Sequence, residues 1–360
     1  MVNTFVTDRL RSLVERRPPG IAVAIVRPER EQLAVGVGQA SLDDGVVASP
    51  QMVCPWFSMT KIVTATTAMR LVEQGTLDLD EPLGRHVPQL GRLQPAANAK
   101  RITARHLLTH SAGLANPIPV RWIHRTDAPA VDQDALLDGL LAKNAKLRFE
   151  PGAKSSYSNL GTLSLGVAMA NLTGAPFPEL VQTEVLKPLQ MHTTGFTYTD
   201  QMSARAATGY HPRRSPMRLL VPRWVIGAPS GRWVSLKPFV LDGQAYGGLL
   251  GSLEDAARFL RMHVRDGDLD GAQLLAPDTA RRMRDIVVPG RRFDLGLGWF
   301  RPANHRHDDP PFVEHLGGGA GFFNLIRTYP TRSIGIAVMG NATKYDIDSV
   351  AELALMGSAK

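Results

Sequence analysis

Strand-like segments lie near both ends of this 360-residue chain, and helix-like segments lie between them. The strand-like segments are short apolar runs, most of them rich in Val and Ile and bounded by turn residues, over 20–27, 32–37, 295–300, 322–329 and 334–339. Amphipathic or apolar stretches over 135–145 and 162–173 predict helices in the middle of the chain. The pattern predicts that two distant parts of the chain meet in one folded unit.

The domain organisation follows from this alternation. We expect a discontinuous α/β domain from residues 1–80 and 240–360, and a mainly helical inserted domain from residues 81–239. Residues 221–241 contain scattered Pro and Gly and are interpreted as loop. Neither an internal repeat nor a low-complexity tract is visible, so the chain is typical of a globular enzyme.

Composition excludes several classes of protein. The net charge is 41 − 33 = +8, but the arginines are scattered rather than gathered with aromatic residues, so we expect no nucleic-acid partner. The sequence contains no apolar run of about 18 residues, which predicts no membrane partner. The first twenty residues lack the apolar core of a secretory signal, which predicts a cytoplasmic protein, although a removed signal would leave a similar chain. Cys54 is the only cysteine, which excludes an internal disulfide framework.

The segment that begins at Ser58 is the first candidate for chemistry. Residues 62–69 carry no charge and are small or apolar on every face, which is typical of a buried helix. Lys61 lies at the start of this run, and burial lowers the pKa of a lysine toward the range of a useful base. Ser58 lies one turn earlier on the same face, so Lys61 can take its proton while Ser58 attacks. The alternatives are a helix N-cap for Ser58 and a surface position for Lys61.

A second candidate segment is Tyr157-Ser158-Asn159, 99 positions after Ser58. Tyr157 can relay protons to and from a nucleophile or a leaving group. Asn159 can orient a substrate carbonyl or hold Lys61. The alternative is a loop of polar turn formers that opens the next helix.

The third candidate is the glycine-rich segment after Glu314-His315-Leu316, which contains Gly317 and Gly318. Closely spaced glycines allow a substrate to approach backbone N–H groups. The N–H groups of Ser58 and Gly318 are therefore candidates for an oxyanion hole. A phosphate-binding loop is the rival interpretation, but no Gly-Lys-Ser/Thr follows and no helix is predicted to start there.

Taken together, these residues resemble the serine β-lactamase and penicillin-binding-protein superfamily. Tyr157-Ser158-Asn159 stands where class C enzymes have the same triplet, and His315-Leu316-Gly317 replaces Lys-Thr-Gly. The segments 75–83, 102–114 and 247–259 are also similar to this superfamily. The resemblance covers about residues 5–357 and implies an α/β (α+β) fold with an antiparallel sheet flanked by helices and an inserted all-helical domain. It also implies that the active site lies at the junction of the two domains.

The resemblance implies roles for the candidates. Ser58 would accept the acyl group, Lys61 would act as the base, and Tyr157 would relay protons. Asn159 would bind substrate or Lys61, and Gly317 and Gly318 belong to the substrate-binding and oxyanion segment. His315 replaces a lysine that binds a substrate carboxylate in lactamases, and a neutral imidazole would bind it less firmly.

This replacement favours the esterase and peptidase branches of the superfamily. The expected function is that of a carboxylesterase similar to family VIII carboxylesterases, with a small ester or amide as substrate. A β-lactamase or a D-Ala carboxypeptidase or aminopeptidase, an acyltransferase and a non-catalytic sensor are the alternatives. We expect no cofactor. The segment 305–309 contains His305 and Asp308 and is interpreted as a solvated loop rather than a metal site. The sequence does not determine the oligomeric state.

Overall fold

The computed structural model describes residues 2–14, 18–117, 122–215 and 221–358. Its helices are α1 (Val2–Val14), α2 (Thr60–Glu73), α3 (Ala96–Ala99), α4 (Ala104–Leu108), α5 (Gln133–Lys143), α6 (Asn159–Thr173), α7 (Phe177–Val181), α8 (Asp200–Ser203), α9 (Gln244–Gly247), α10 (Leu253–Val264), α11 (Pro277–Arg284) and α12 (Ile347–Ser358). Short 3-10 turns, such as Phe57–Met59, connect several of them.

The strands of the first half are β1 (Gly20–Val26), β2 (Glu31–Ser41), β3 (Val46–Val47), β4 (Val53–Pro55), β5 (Ile123–His124), β6 (Thr194–Gly195), β7 (Gly209–Pro212), β8 (Ile226–Ser230) and β9 (Trp233–Leu236). The later strands are β10 (Val240–Leu241), β11 (Leu250–Ser252), β12 (Asp268–Leu269), β13 (Ala272–Gln273), β14 (Phe293–Leu295), β15 (Phe300–Pro302), β16 (Val313–Gly319), β17 (Phe322–Tyr329) and β18 (Ile334–Gly340).

The central sheet joins the two ends of the chain. Its eight antiparallel strands have the order β14-β15-β16-β17-β18-β1-β2-β3. The junction is the pair of β1 with β18, in which Val23 lies opposite Val338. This confirms the predicted antiparallel sheet built from both ends of the sequence. Strand β16, which carries the third candidate segment, is separated from β1 by β17 and β18.

Both faces of the sheet are covered by helices. Along β1, Ile21, Val23 and Ile25 belong to one core, whereas Ala22 and Ala24 belong to the other. The first core contains Val6 and Leu10 of α1 and Val350 of α12. The second contains residues of α2 and α10. Because strand side chains alternate between faces, the continuous apolar run of β1 fits a strand that is buried on both sides.

Two local predictions are wrong. Residues 221–241 are not simply loop, because β8 and β9 form a three-stranded sheet with β7. All four residues of β9 are buried, so the alternation that normally reveals a strand is missing. The predicted strand over 295–300 is interrupted at Gly298, whose φ of +95° turns the chain; a Cβ at Gly298 would lie 2.3 Å from the Ala65 Cβ of α2.

Candidate active site

The nucleophile candidate is presented by a tight strand-turn-helix segment. Strand β4 ends at Pro55, Ser58 lies in the 3-10 turn Phe57–Met59, and α2 continues from Thr60. Phe57 has a φ of +49°, a strained value for a residue with a side chain. Its ring packs against Trp122 and Phe239, with centroids 5.9 and 6.1 Å away. Packing therefore holds the turn that orients Ser58.

The structure contradicts the two alternative interpretations of this segment. The N-cap of α2 is Met59 and receives no side-chain cap bond, so Ser58 does not serve as the cap. Lys61 is 3% exposed, and all residues from Thr60 to Met69 are buried, so Lys61 is not a surface lysine. Ser58 itself is only partly buried, which leaves its hydroxyl open to a substrate.

The Lys61 amine lies between two oxygen atoms. Its Nζ is 3.2 Å from Ser58 Oγ and donates to the carbonyl oxygen of Tyr246 at 2.6 Å. Burial lowers the pKa of Lys61 well below its usual range, because the ammonium loses hydration and no carboxylate compensates it within the described residues. The neutral amine can therefore accept a proton from Ser58.

Tyr157 completes a three-residue cluster. Its phenol makes a side-chain hydrogen bond with Ser58, and its ring centroid lies 4.9 Å from Lys61 Nζ. Burial raises the pKa of Tyr157 above its usual value, so the phenol keeps its proton at neutral pH. The structure thus brings Ser58, Lys61 and Tyr157 together, as the sequence predicts.

His110 supports the turn that carries Tyr157. Its Nδ1 accepts a hydrogen bond from the Ser158 N–H at 3.2 Å, and its ring centroid lies 4.7 Å from that of Tyr157. Burial lowers the pKa of His110 to about 3, so the ring is neutral and available as an acceptor. His110 therefore orients the segment that carries Tyr157.

Asn159 begins α6 beside this cluster. Ser158 caps the helix by accepting a hydrogen bond from the Gly161 N–H at 3.1 Å. The Asn159 N–H donates to Asn116 Oδ1 at 3.0 Å, whereas the buried Asn159 Oδ1 has no hydrogen-bond partner among the described residues. An unpaired buried acceptor is costly and is ready to receive a donor from a ligand. The structure places Lys61 against Ser58 and Tyr246, and the sequence alternative in which Asn159 holds Lys61 is not observed.

The third candidate segment contains His315, Gly317 and Gly318, and the structure places these three residues in different surroundings. His315 is 1% exposed and lies beside Phe300, with ring centroids 4.8 Å apart. Its Nδ1–H donates to the Leu316 carbonyl oxygen at 2.9 Å. Burial and the proximity of Lys61 lower the pKa of His315 well below its usual range, so the imidazole is neutral. A neutral and buried imidazole is a poor partner for a substrate carboxylate.

Gly317 and Gly318 have different structural roles. A Cβ at Gly317 would lie 2.0 Å from the Trp56 carbonyl oxygen, so this glycine lets β16 approach the turn that carries Ser58. Gly318 instead lines a cavity together with Ser58. The carboxamide of Asn324 strengthens the same junction by donating to the Pro55 carbonyl oxygen at 2.8 Å.

The cavity at Ser58 has a volume of about 270 Å³ and mainly apolar walls. Phe57, Trp122, Val221, Leu241 and Tyr246 provide most of that apolar surface, and Asn159 and Gly318 add polar groups near Ser58. We call it the acyl cavity. Trp122 and Tyr246 were not among the sequence candidates. An aromatic side chain carries no motif of its own, and the Tyr246 contribution to Lys61 is a backbone carbonyl, which any residue can supply.

Other sequence expectations concern residues outside this cluster. His305 Nδ1 lies 2.8 Å from Asp308 Oδ2, and the described ranges contain no group of three or more His, Cys, Asp or Glu side chains that could hold a metal ion. None of the helices in the described part of the chain has the length and apolar character needed to cross a bilayer. Cys54 is fully buried.

A strand-turn-helix serine beside a buried lysine, packed against strand β16 of an antiparallel sheet with helices on both faces, defines the serine β-lactamase and penicillin-binding-protein class of fold. The Beta-lactamase family profile matches residues 6–357, and the chain belongs to this family. It is a serine hydrolase of the β-lactamase and penicillin-binding-protein type.

Two curated relatives illustrate the similarity. The D-alanyl-D-alanine-carboxypeptidase/endopeptidase AmpH of Escherichia coli (strain K12) is 27% identical over 293 residues, which cover 78% of this chain and 69% of AmpH. Protein Rv1367c of Mycobacterium tuberculosis is 31% identical over 281 residues, covering 73% of this chain and 67% of the relative.

Solved structures show the same fold. The D-amino acid amidase from Ochrobactrum anthropi superposes with a TM-score of 0.80 at 22% identity and covers 99% of both chains. EstCE1, described as a hydrolase with promiscuous acyltransferase activity, superposes with a TM-score of 0.72 at 23% identity and covers 94% of both chains.

Proposed function

We propose that this protein is a carboxylesterase that cleaves short-chain esters through an acyl-enzyme on Ser58. The observation that carries the proposal is the buried Lys61 amine, 3.2 Å from Ser58 Oγ, with its pKa lowered by desolvation. A serine hydroxyl is a weak nucleophile until a neighbouring base takes its proton. Lys61, with its pKa lowered by burial, is the base that the geometry places beside Ser58.

Acylation begins when Ser58 Oγ attacks the ester carbonyl carbon and its proton passes to Lys61 Nζ. The carbonyl oxygen becomes an oxyanion, for which the N–H groups of Ser58 and Gly318 are the proposed donors. Collapse of the tetrahedral intermediate breaks the bond to the leaving alcohol. That alcohol needs a proton, which returns from Lys61 by way of Tyr157.

The raised pKa of Tyr157 defines its role in this reaction. A phenol that keeps its proton cannot start the reaction as a phenolate base, but it can donate that proton to the leaving oxygen and be reprotonated by the Lys61 ammonium. After the alcohol has left, Lys61 is neutral again. We therefore assign activation of the deacylating water to Lys61, which returns serine and a free acid.

The acyl cavity and His315 favour esters with small apolar acyl groups. About 270 Å³ lined by aromatic and aliphatic side chains suits a short acyl chain. The neutral and buried His315 offers no charge for the carboxylate of a β-lactam. We also retain the cytoplasmic location predicted from the sequence as part of the proposal, and cell fractionation tests it.

The test is hydrolysis of p-nitrophenyl butyrate by the wild-type protein and by Ser58→Ala, with Ser203→Ala as the matched control on the exposed surface of α8. We expect activity in the wild type and in the control, and loss of about 10³-fold or more in Ser58→Ala. Equal activity in all three proteins at equal melting temperature contradicts the assignment of Ser58.

A second candidate function is hydrolysis of amides or D-amino acid peptides. The unpaired Asn159 Oδ1 favours it, because an amide N–H can donate to this oxygen and an ester has no such donor. The activities named for AmpH and for the D-amino acid amidase are of this kind. A panel of butyrate ester, D-amino acid amide, D-Ala-D-Ala peptide and chromogenic cephalosporin separates the candidates by kcat/KM.

Product analysis addresses the remaining alternatives. Addition of a primary alcohol to the ester assay yields a new ester if the enzyme transfers the acyl group, and only free acid if it hydrolyses. An acylated protein that accumulates without turnover indicates a sensor rather than an enzyme.

A further inference from the structure

A second cavity of about 590 Å³ opens beside Tyr157 and is distinct from the acyl cavity in its chemistry. A loop over residues 148–157, a loop over residues 291–292 and strand β14 form it. They are in close contact, since a Cβ at Gly290 would lie 2.6 Å from Ser155 Oγ. Its polar and charged lining includes Asn116, Arg148, Lys154, Tyr157, Arg291 and Arg292. We call it the basic cavity.

The four cations of the basic cavity lack carboxylate partners among the described residues. Lys154 Nζ lies 5.2 Å from the centroid of Phe149, and the Arg292 guanidinium lies 5.9 Å from that of Phe293, so two of them rest on aromatic rings instead.

The acids nearest in sequence are already paired. Glu150 lies 3.9 Å from Arg101, and the buried Asp294 is held by Arg301 and Arg306. The basic cavity therefore keeps a positive potential that an anion would neutralise.

The basic cavity and the acyl cavity meet at the Tyr157-Ser158-Asn159 segment. Tyr157 lines the basic cavity and is hydrogen bonded to Ser58, which lines the acyl cavity. Asn116 lines the basic cavity and accepts a hydrogen bond from Asn159, which lines the acyl cavity. A substrate attacked by Ser58 can thus extend into both.

The chemistry decides which part of the substrate enters which cavity. The leaving oxygen must lie next to the group that protonates it, and Tyr157 is that group. The carbonyl oxygen must lie next to the Gly318 N–H, which belongs to the acyl cavity. The acyl chain therefore occupies the apolar cavity, and the leaving group points into the basic one.

We propose that the basic cavity makes the enzyme selective for leaving groups that carry a carboxylate, through Arg148, Lys154, Arg291 and Arg292. This inference rests on the proposed acyl-enzyme mechanism at Ser58. The carboxylate is bound by exposed cations on the two loops, and not at position 315, where the imidazole is neutral and buried. Charged hydrogen bonds from guanidinium groups to a carboxylate are the strongest that side chains make.

The test compares two esters that differ only in this charge, 3-carboxyphenyl butyrate and 3-carbamoylphenyl butyrate. The acyl part and ring are the same, and the carboxamide matches the carboxylate in size. We expect the wild type to favour the anionic ester by about tenfold in kcat/KM at low ionic strength, with the preference falling as NaCl is added.

The matched variants remove equal charge. Arg291→Gln/Arg292→Gln should lose most of the preference, so that the ratio of its kcat/KM values for the anionic and the neutral ester falls toward one. Arg9→Gln/Arg332→Gln removes two exposed arginines of α1 and of a 3-10 turn that line none of these cavities, and should behave as the wild type. An equal rate on both esters in the wild type, or a preference unchanged by Arg291→Gln/Arg292→Gln, overturns the inference while leaving the esterase proposal intact.

If neither ester is hydrolysed, that result counts against the proposed function. A binding measurement then still tests the inference about the basic cavity. Isothermal titration calorimetry of the wild type and the two double variants with 3-hydroxybenzoate and 3-hydroxybenzamide measures the affinity of the basic cavity without turnover. Binding of the benzoate about tenfold tighter than the benzamide, and lost in Arg291→Gln/Arg292→Gln, supports the inference. Equal binding of the two compounds contradicts it.

Discussion

The substitution Gly317→Ala tests how the sheet positions the nucleophile. The new Cβ would lie 2.0 Å from the Trp56 carbonyl oxygen and 3.0 Å from the backbone nitrogen of Met59. An ordinary contact is 3.4 Å or more, so β16 must retreat from the turn at Ser58 by about 1.4 Å. The obstacles include backbone atoms, which cannot rotate away.

Overpacking of this kind costs about 3 kcal/mol. With an unfolding entropy of about 2.1 cal/mol/K per residue, the melting temperature should fall by about 4 °C in a chain of 360 residues. A displacement of about 1 Å between the nucleophile and its oxyanion donors costs about 10²-fold in rate. We therefore expect kcat/KM for p-nitrophenyl butyrate to fall about 10²-fold at 25 °C, where the variant is still folded.

Gly318→Ala is the control for stability. Its Cβ would meet the Phe323 ring at 2.9 Å, and a side chain can move where a backbone carbonyl cannot. Differential scanning calorimetry should show a smaller decrease for Gly318→Ala than for Gly317→Ala. Equal melting temperatures for the two variants and the wild type would refute the argument that Gly317 is required for close approach.

Four further outcomes follow from the site. Since only the neutral amine of Lys61 accepts a proton, kcat/KM should rise with pH to a plateau, with a midpoint below that of an exposed lysine, and a midpoint as high as that of an exposed lysine contradicts this. Tyr157→Phe should lower kcat by about 10²-fold with the protein still folded, and circular dichroism with single-turnover kinetics checks both. His315→Lys places a second buried amine near Lys61 and should lower the melting temperature, whereas an unchanged value contradicts the buried position. Cys54, with its pKa raised by burial to about 12, should resist a disulfide reagent in the native protein and react once per chain in denaturant.

Much of the fold was predictable because its strands are continuous apolar runs. Residues 20–26 and 334–339 are buried on both faces of the central sheet, so their composition alone marks them. The region 221–241 was misread, since the fully buried β9 shows no alternation and its partner β8 contains Pro229. The break at Gly298 depends on contact with α2, which no local pattern reports.

The candidate active site also contains some residues that were predictable from the sequence and others that were not. Ser58, Lys61 and Tyr157 were predictable because each is a chemically special side chain in an unusual setting, and the structure brings them together. The contribution of Tyr246 was not predictable, since it comes from a backbone carbonyl far along the chain. The separate roles of Gly317 and Gly318 could be distinguished only in the three-dimensional structure, because the two residues are of the same type and differ in which neighbours they face.

The most direct test of the account is to identify the serine that becomes acylated. Wild-type protein and Ser58→Ala are treated with a fluorophosphonate, and the adduct is located by intact-mass and peptide-mapping mass spectrometry. We predict one adduct per wild-type chain, on Ser58, formed faster as the pH rises through the pKa of Lys61, and none in Ser58→Ala. An adduct on another serine, or equal labelling of the two proteins, contradicts the claim that the Ser58–Lys61 pair is the nucleophile and its base.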